Sequence, residues 1–223
     1  IPRPFVIEPP EDRKLYYDRG EEIGFDLILV GGACPLLPWF IVTFKQVAEQ
    51  GIGSKRGRLQ DLKVEAVDIL SGDRAPIYDD REELVHASNL EFSFGDIVNA
   101  SRPLNSRRLK VTFLTHTTLT SEERFVLRPE FPVLHCGEQM DRQVIRDLIS
   151  RSAAVKLVES RIRWEDWERY SMRQKERMKF GGIVGEAVYE GDLAPFLSYL
   201  LLGSIVHVGK RCTFGNGKYA VSL

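Results

Sequence analysis

Gly203–Leu223, at the carboxyl end of the chain, reads G-S-I-V-H-V-G-K-R-C-T-F-G-N-G-K-Y-A-V-S-L. Within it Gly209, Gly215 and Gly217 alternate with Lys210, Arg211 and Lys218. Glycine carries the backbone through positive φ and lets it approach a ligand closely. Bare N–H groups in such a loop, with cations beside them, make an anion cradle, and phosphate is the expected anion. His207 stands two residues before the first of these glycines, and its ring changes charge near neutral pH. The stretch is not a nucleotide P-loop, because Tyr219 follows Gly217-Lys218 and Cys212 stands five residues before Gly217. A dinucleotide fingerprint would put its glycines between a strand and a helix. Here they follow an apolar, helix-like run and precede the strand-like Tyr219–Val221.

Working outward, Ala194-Pro195-Phe196-Leu197 opens the apolar helix, which runs to about Val206 with Asp192 as its cap. Before it lies the strand Lys179–Tyr189, thinned by Gly181, Gly182 and Gly185. A second segment follows the same plan. The strand Ile23–Val30 leads to Leu37-Pro38-Trp39-Phe40, which opens a helix to about Gln50. Gly51-Ile52-Gly53 ends it, the basic loop Ser54-Lys55-Arg56-Gly57-Arg58 follows, and Leu62–Leu70 alternates as a strand. Pro38 to Gly53 is fifteen residues and Pro195 to Gly209 is fourteen, so loop chemistry and helix length agree, and we read an internal repeat.

The region between holds a short strand near Ala75–Tyr78, a short helix over Phe94–Ala100 and a linker at Arg102–Ser106. Leu109–Leu114 is a strand running on into Thr115-His116-Thr117-Thr118, and Glu122–Leu134 is irregular. Val144, Ile145, Leu148, Ile149 and Val155 predict one long helix over Gln139–Glu159. Trp164–Met178 is polar and aromatic. The second half thus reads strand, helix, a strand its pattern does not delimit, strand, helix, strand, which is the βαββαβ plan. The expectation is an α+β fold of tandem ferredoxin-like (RRM-like) domains. Residues 1–104 form the first, incomplete one, and residues 105–223 the second.

Composition narrows the classes. Hydrophobic residues are 43% of the chain, enough for a packed core. Net charge is −1, so any nucleic-acid role must rest on local clusters. No apolar run approaches the length of a membrane span. Cys34, Cys136 and Cys212 are odd in number and far apart, which fits a reducing cytoplasm. The sequence begins at Ile1 rather than Met and reads as a piece of a longer protein.

With these residues in view, the chain resembles the RAMP superfamily of CRISPR systems, and most of all its endoribonuclease family that cuts precursor RNA inside each repeat. The likeness rests on R-P-F-V-I-E-P-P at Arg3–Pro10, G-I-G-S-K-R-G-R at Gly51–Arg58, F-L-T-H-T-T at Phe113–Thr118 and R-Y-S-M-R-Q-K at Arg169–Lys175. It rests above all on His207–Tyr219. His116 departs from the family's strand-end motif, where proline is expected. The family's N-terminal segment, which often carries the active-site loop and helix, is expected upstream of Ile1, and a general base lying there is the competing expectation to any histidine of this sequence. The resemblance implies an endoribonuclease that binds CRISPR repeat RNA, uses no metal or other cofactor and leaves a 2′,3′-cyclic phosphate. A related reading is a RAMP protein that holds guide RNA without cutting. Effector-complex proteins are the further partners implied, and a homodimer is compatible.

Such chemistry uses the substrate's 2′-hydroxyl as nucleophile. It needs a general base, an acid for the leaving 5′ oxygen and a cation at the phosphorane. His207 is the leading catalytic candidate, with Lys210 as its cation. The alternatives for His207 are RNA binding, or holding the loop through hydrogen bonds at a helix end. His116, His86 and His135 are lesser candidates. Predicted RNA contacts are Lys55, Arg56, Arg58, Arg169, Arg173, Lys175, Gly209, Arg211, Gly215, Gly217 and Lys218. Arg177 belongs to the same basic run as Arg169. Tyr170 and Phe214 are candidates for stacking on bases.

Overall fold

In a computed structural model of the chain, the described residues are 3–222 apart from 11, 13, 15, 54, 89, 105–106, 122–123, 132–141 and 172–175; at 142, 168–171 and 176–179 only the backbone is described. The elements are β1 (Phe5–Glu8), β2 (Asp26–Leu29), α1 (Leu37–Gln50), β3 (Lys63–Val67), β4 (Arg74–Asp79) and α2 (Phe94–Ser101). They continue as β5 (Arg108–Thr117), β6 (Thr120–Ser121), β7 (Arg124–Phe125), α3 (Arg142–Ser152), β8 (Lys156–Ser171), β9 (Glu176–Glu190), α4 (Leu197–Val206) and β10 (Tyr219–Ser222).

The second half builds one four-stranded antiparallel sheet in the order β10-β5-β9-β8. Strict alternation makes it two-faced. Leu109, Val111 and Phe113 of β5 point inward with Ile183, Ala187 and Tyr189 of β9, and all are buried. On the other face Lys110 meets Glu186 at 3.1 Å, and Arg108 reaches Glu190 and Glu159 at 2.6 Å each. The inner face is covered by α4, whose sequence L-S-Y-L-L-L-G-S-I-V is apolar nearly all round. A helix of that kind needs a partner on more than one side. The sheet supplies one, and α2 supplies another, with Phe94 and Tyr199 rings 5.4 Å apart.

Sequence and structure part company at three places. The helix predicted over residues 139–159 is α3, and it ends at Ser152. Val155 turns into the core, and the chain runs on as β8, paired with β9 from Lys156 to Ser171. A bulge between Leu157 and Glu159 shifts the inward parity, so that Leu157 and then Ile162 and Trp164 all reach the core. That break in alternation hid the strand. Asp192 does not cap α4; a 3-10 turn at Ala194–Phe196 leads into the helix with Phe196 at the cap position. In the first half β1 pairs with β2 and β3 with β4, as two separate ladders; β3 and β4 pack with α1 in a small core of Ile41, Ile77 and Tyr78, and Phe5 of β1 lies against Phe40 of α1 at 5.3 Å. α2 begins with a capping box, Ser93 and Asp96 each bonding the other's backbone N–H.

Among the described residues no helix is long and apolar enough to cross a membrane.

Candidate RNA-contact site

The glycine loop begins where α4 ends, at His207. Its φ of 65° and ψ of 163° lie where a non-glycine residue costs about 1–3 kcal/mol. Two hydrogen bonds hold it there: Nδ1 lies 2.9 Å from the Asn216 carbonyl and Nε2 lies 2.7 Å from Glu8 Oε1. A carbonyl only accepts, so Nδ1 carries a proton, and Nε2 must also donate if Glu8 is a carboxylate. The other Glu8 oxygen accepts from Lys218 Nζ at 2.6 Å. The His207 side chain is 0% exposed and that of Glu8 10%. Burial alone would raise the Glu8 carboxyl, but hydrogen bonds and charge from His207 and Lys218 overcome it and hold the group below its ordinary range.

A sign follows from that depressed value. Glu8 contributes its full stabilisation above its unfolded value, about pH 4.5, and loses it as pH falls through the lower folded value. The urea midpoint of the wild type should therefore fall more steeply below about pH 4.5 than that of Glu8→Gln. Parallel curves for the two proteins would refute the pairing.

The rest of the loop is docked on the end of β5. Gly217 N–H donates to His116 O at 3.2 Å and Lys210 N–H to Thr118 O at 3.0 Å. Lys218 N–H donates to Thr115 Oγ1, which itself donates to Gly215 O, each at 2.9 Å. The amides of Lys210, Gly217 and Lys218 are thus spent on the protein. A Cβ on Gly215 would stand 2.5 Å from Pro9 Cδ, and one on Gly217 would strike the Val208 carbonyl. Both residues are buried at φ near +80°. These two glycines let the loop pack against β1 and itself, not against a ligand. Set against the expected roles in RNA contact and catalysis, Gly215 and Gly217 are buried in the fold, Lys218 is paired with Glu8, and the His207 side chain lies in the interior.

What the loop presents outward is its apex. Gly209 and Lys210 are exposed and Arg211 is half-buried, with φ 67°. Lys210 Nζ sits 5.8 Å from the centre of the Phe125 ring, and Phe125 packs on Trp164 at 5.4 Å. The Arg211 guanidinium sits 4.2 Å from the Phe180 ring centre, and Phe180 stacks on Trp167 at 4.9 Å and 28°. Cations held over ring faces keep their charge available on a rigid support. His116 borders this shelf, its ring 6.0 Å from Trp167 and its Nε2 3.4 Å from Glu165 Oε2. The shelf lies at the root of the β8–β9 hairpin, whose outer part, beyond the β5–β9 pairing, carries the second basic run.

The other predicted residues are scattered. Lys55, Arg56 and Arg58 are exposed on the turn after α1, closed by the Ile52–Gly57 bridge. Arg169 lies on β8 opposite Met178 and Tyr170 opposite Arg177, with side chains outside the described set. Arg173, Lys175 and His135 lie outside the described residues. Phe214 is 55% exposed, and His86 is exposed beside Glu82 at 3.1 Å. No group of side chains that could hold a metal occurs among the described residues. Sequence reasoning missed Glu8, Phe125, Trp167 and Phe180. For Glu8 a signal existed, a lone acid between the apolar Phe5-Val6-Ile7 and Pro9-Pro10.

Known proteins bear on this arrangement. Residues 1–90 match a family model described as an N-terminal domain. Residues 111–219 match the model of the CRISPR-associated endoribonuclease Cas6. No curated protein matched the sequence. Among solved structures, a Thermus thermophilus Cas6 matches at TM-score 0.53 and 15% identity, over 100% of this chain and 81% of that one. The product complex of the same Cas6 matches at 0.57 and 14%, over 99% and 82%. A partial Cas6-RT-Cas1–Cas2 complex matches at 0.52 and 12%, over 98% of this chain and 38% of that one. At such identities these structures speak for the fold, while the Cas6 family model covers most of β5, all of β8, β9 and α4, and the whole glycine loop. Residues 111–219 of the chain belong to the family of CRISPR-associated Cas6 endoribonucleases.

Proposed function

We propose that the protein binds CRISPR repeat RNA and cuts the precursor transcript into guide RNAs, without a metal, leaving a 2′,3′-cyclic phosphate. The observation that carries this is the Lys210–Arg211 apex, two cations held over aromatic rings beside a histidine–carboxylate pair. Cations there meet phosphate and the rings offer stacking faces. His116 is the proposed base, steered by Glu165, and Lys210 the proposed stabiliser of phosphorane charge. Lys55, Arg56, Arg58, Arg169, Arg173 and Lys175 are proposed to extend the phosphate track. Residues 105–223 are read as a ferredoxin-like domain and residues 1–104 as a partial second one. The support is the strand–helix–strand–strand–helix–strand order with the fourth strand beside the first and the third beside the second. CRISPR effector proteins are the proposed protein partners.

Withdrawal of His207 into the interior favours one alternative, a protein of this fold that holds guide RNA without cutting it. Repeat RNA incubated in EDTA separates the two. The first reading expects a discrete cut with a cyclic-phosphate end, slowed at least about 100-fold by His116→Ala. A gel shift without a cut supports the second. Cutting by His116→Ala at the wild-type rate would remove His116 as the base.

A further inference from the structure

We infer that Glu8 is a positioning residue for RNA binding: from β1, in the first half of the chain, it holds the loop that presents Lys210 and Arg211. The inference rests on the RNA reading above. Glu8 is joined to the loop at both ends, to His207 at 2.7 Å and to Lys218 at 2.6 Å. These two residues bracket the exposed apex. The loop also leans on the strand itself, since Gly215 packs against Ile7 and Pro9. The first loop residue, His207, occupies a backbone conformation that favours glycine, and its ring has no contact with solvent. A histidine in that position is useful for what its two nitrogens tie together, Asn216 across the loop and Glu8 on β1. Release of the ring from Glu8 frees the backbone to leave this conformation, and the cations then lose their seats over Phe125 and Phe180.

Charge alone predicts the opposite result, which makes the inference testable. Removing Glu8 deletes a negative charge beside Lys218, so a purely electrostatic account expects tighter RNA binding. The experiment measures Kd for a labelled CRISPR repeat RNA against KCl concentration. It uses the full chain at a temperature where circular dichroism shows each variant folded. The variants are Glu8→Ala, Glu8→Gln and the double variant Lys210→Ala/Arg211→Ala. If Glu8 positions the apex, Glu8→Ala weakens binding about 10-fold and lowers the salt slope by about 1, as if a phosphate contact were lost. Glu8→Gln, which keeps the shape and two polar atoms, should recover most of the affinity. Equal or tighter binding by both Glu8 variants overturns the inference, even if both melt earlier. Should Glu8→Ala not fold, Glu8→Gln alone decides, because electrostatics predicts tighter binding than wild type and positioning predicts weaker. Loss of affinity in the Lys210→Ala/Arg211→Ala protein but not in the Glu8 variants leaves the RNA reading standing and defeats only the role of Glu8. A wild type without salt-dependent affinity defeats both.

Discussion

Replacing Gly217 by alanine is expected to lower the melting temperature by about 10 °C, the largest stability effect of any single methyl added to this chain. The new Cβ points at the carbonyl oxygen of Val208, a backbone atom that also belongs to the crossing where Val208 N–H donates to Gly217 O at 3.1 Å. Neither strand of that crossing is free to move. Gly217 N–H is fixed to His116, and Tyr219 starts the edge strand β10 with its hydroxyl donating to Leu200 O at 2.6 Å. Alanine at φ +82° adds backbone strain to the clash. A combined cost of about 3–4 kcal/mol is the order reported for strained positions with a blocked Cβ. In a chain of 223 residues this corresponds to about 2–4 °C per kcal/mol. Calorimetry decides it. A shift under about 3 °C would mean that the loop has slack and that the Val208 carbonyl gives way to the added methyl.

The second large effect concerns binding. Lys210→Glu/Arg211→Glu is expected to raise Kd for repeat RNA by at least about 100-fold at 0.1 M salt, and to flatten the salt slope by about 2. Both side chains lie on the apex, and among the described residues neither closes an ion pair that supports the core; each rests on an aromatic ring. Stability should therefore change little while affinity collapses. The same double reversal at Lys55 and Arg56 is expected to act more weakly, since their turn carries no aromatic support of this kind among the described residues. If the two double reversals weaken binding equally, the RNA follows a broad basic surface and the aromatic shelf has no special part.

How much of this could be read from the residues depends on the range of the forces involved. Alternation in L-K-V-T-F-L and the apolar run L-S-Y-L-L-L-G-S-I-V are local patterns, and they became β5 and α4 as their periodicities require. The basic glycine loop between α4 and β10 was legible too, with Lys210 and Arg211 exposed to solvent or partly so. The long helix was misread because Val155 continues a helical spacing that the chain abandons at Ser152. Only pairing with β9, where Lys156 meets Glu190, makes the strand the better solution.

The direction of each loop residue was beyond local reasoning. Gly209 and Gly217 look alike in the sequence, as do Lys210 and Lys218, yet one of each pair is exposed and the other is held within the fold. What separates the two lysines is Glu8, 199 residues before His207. By itself the sequence determined that a cationic glycine loop would follow the last helix and lead into an edge strand, because glycine, charge and apolar spacing act over a few residues. Which of its amides, histidines and lysines face outward was decided by the tertiary structure, because an acid brought from the other end of the chain claims His207 and Lys218 and holds them within the fold.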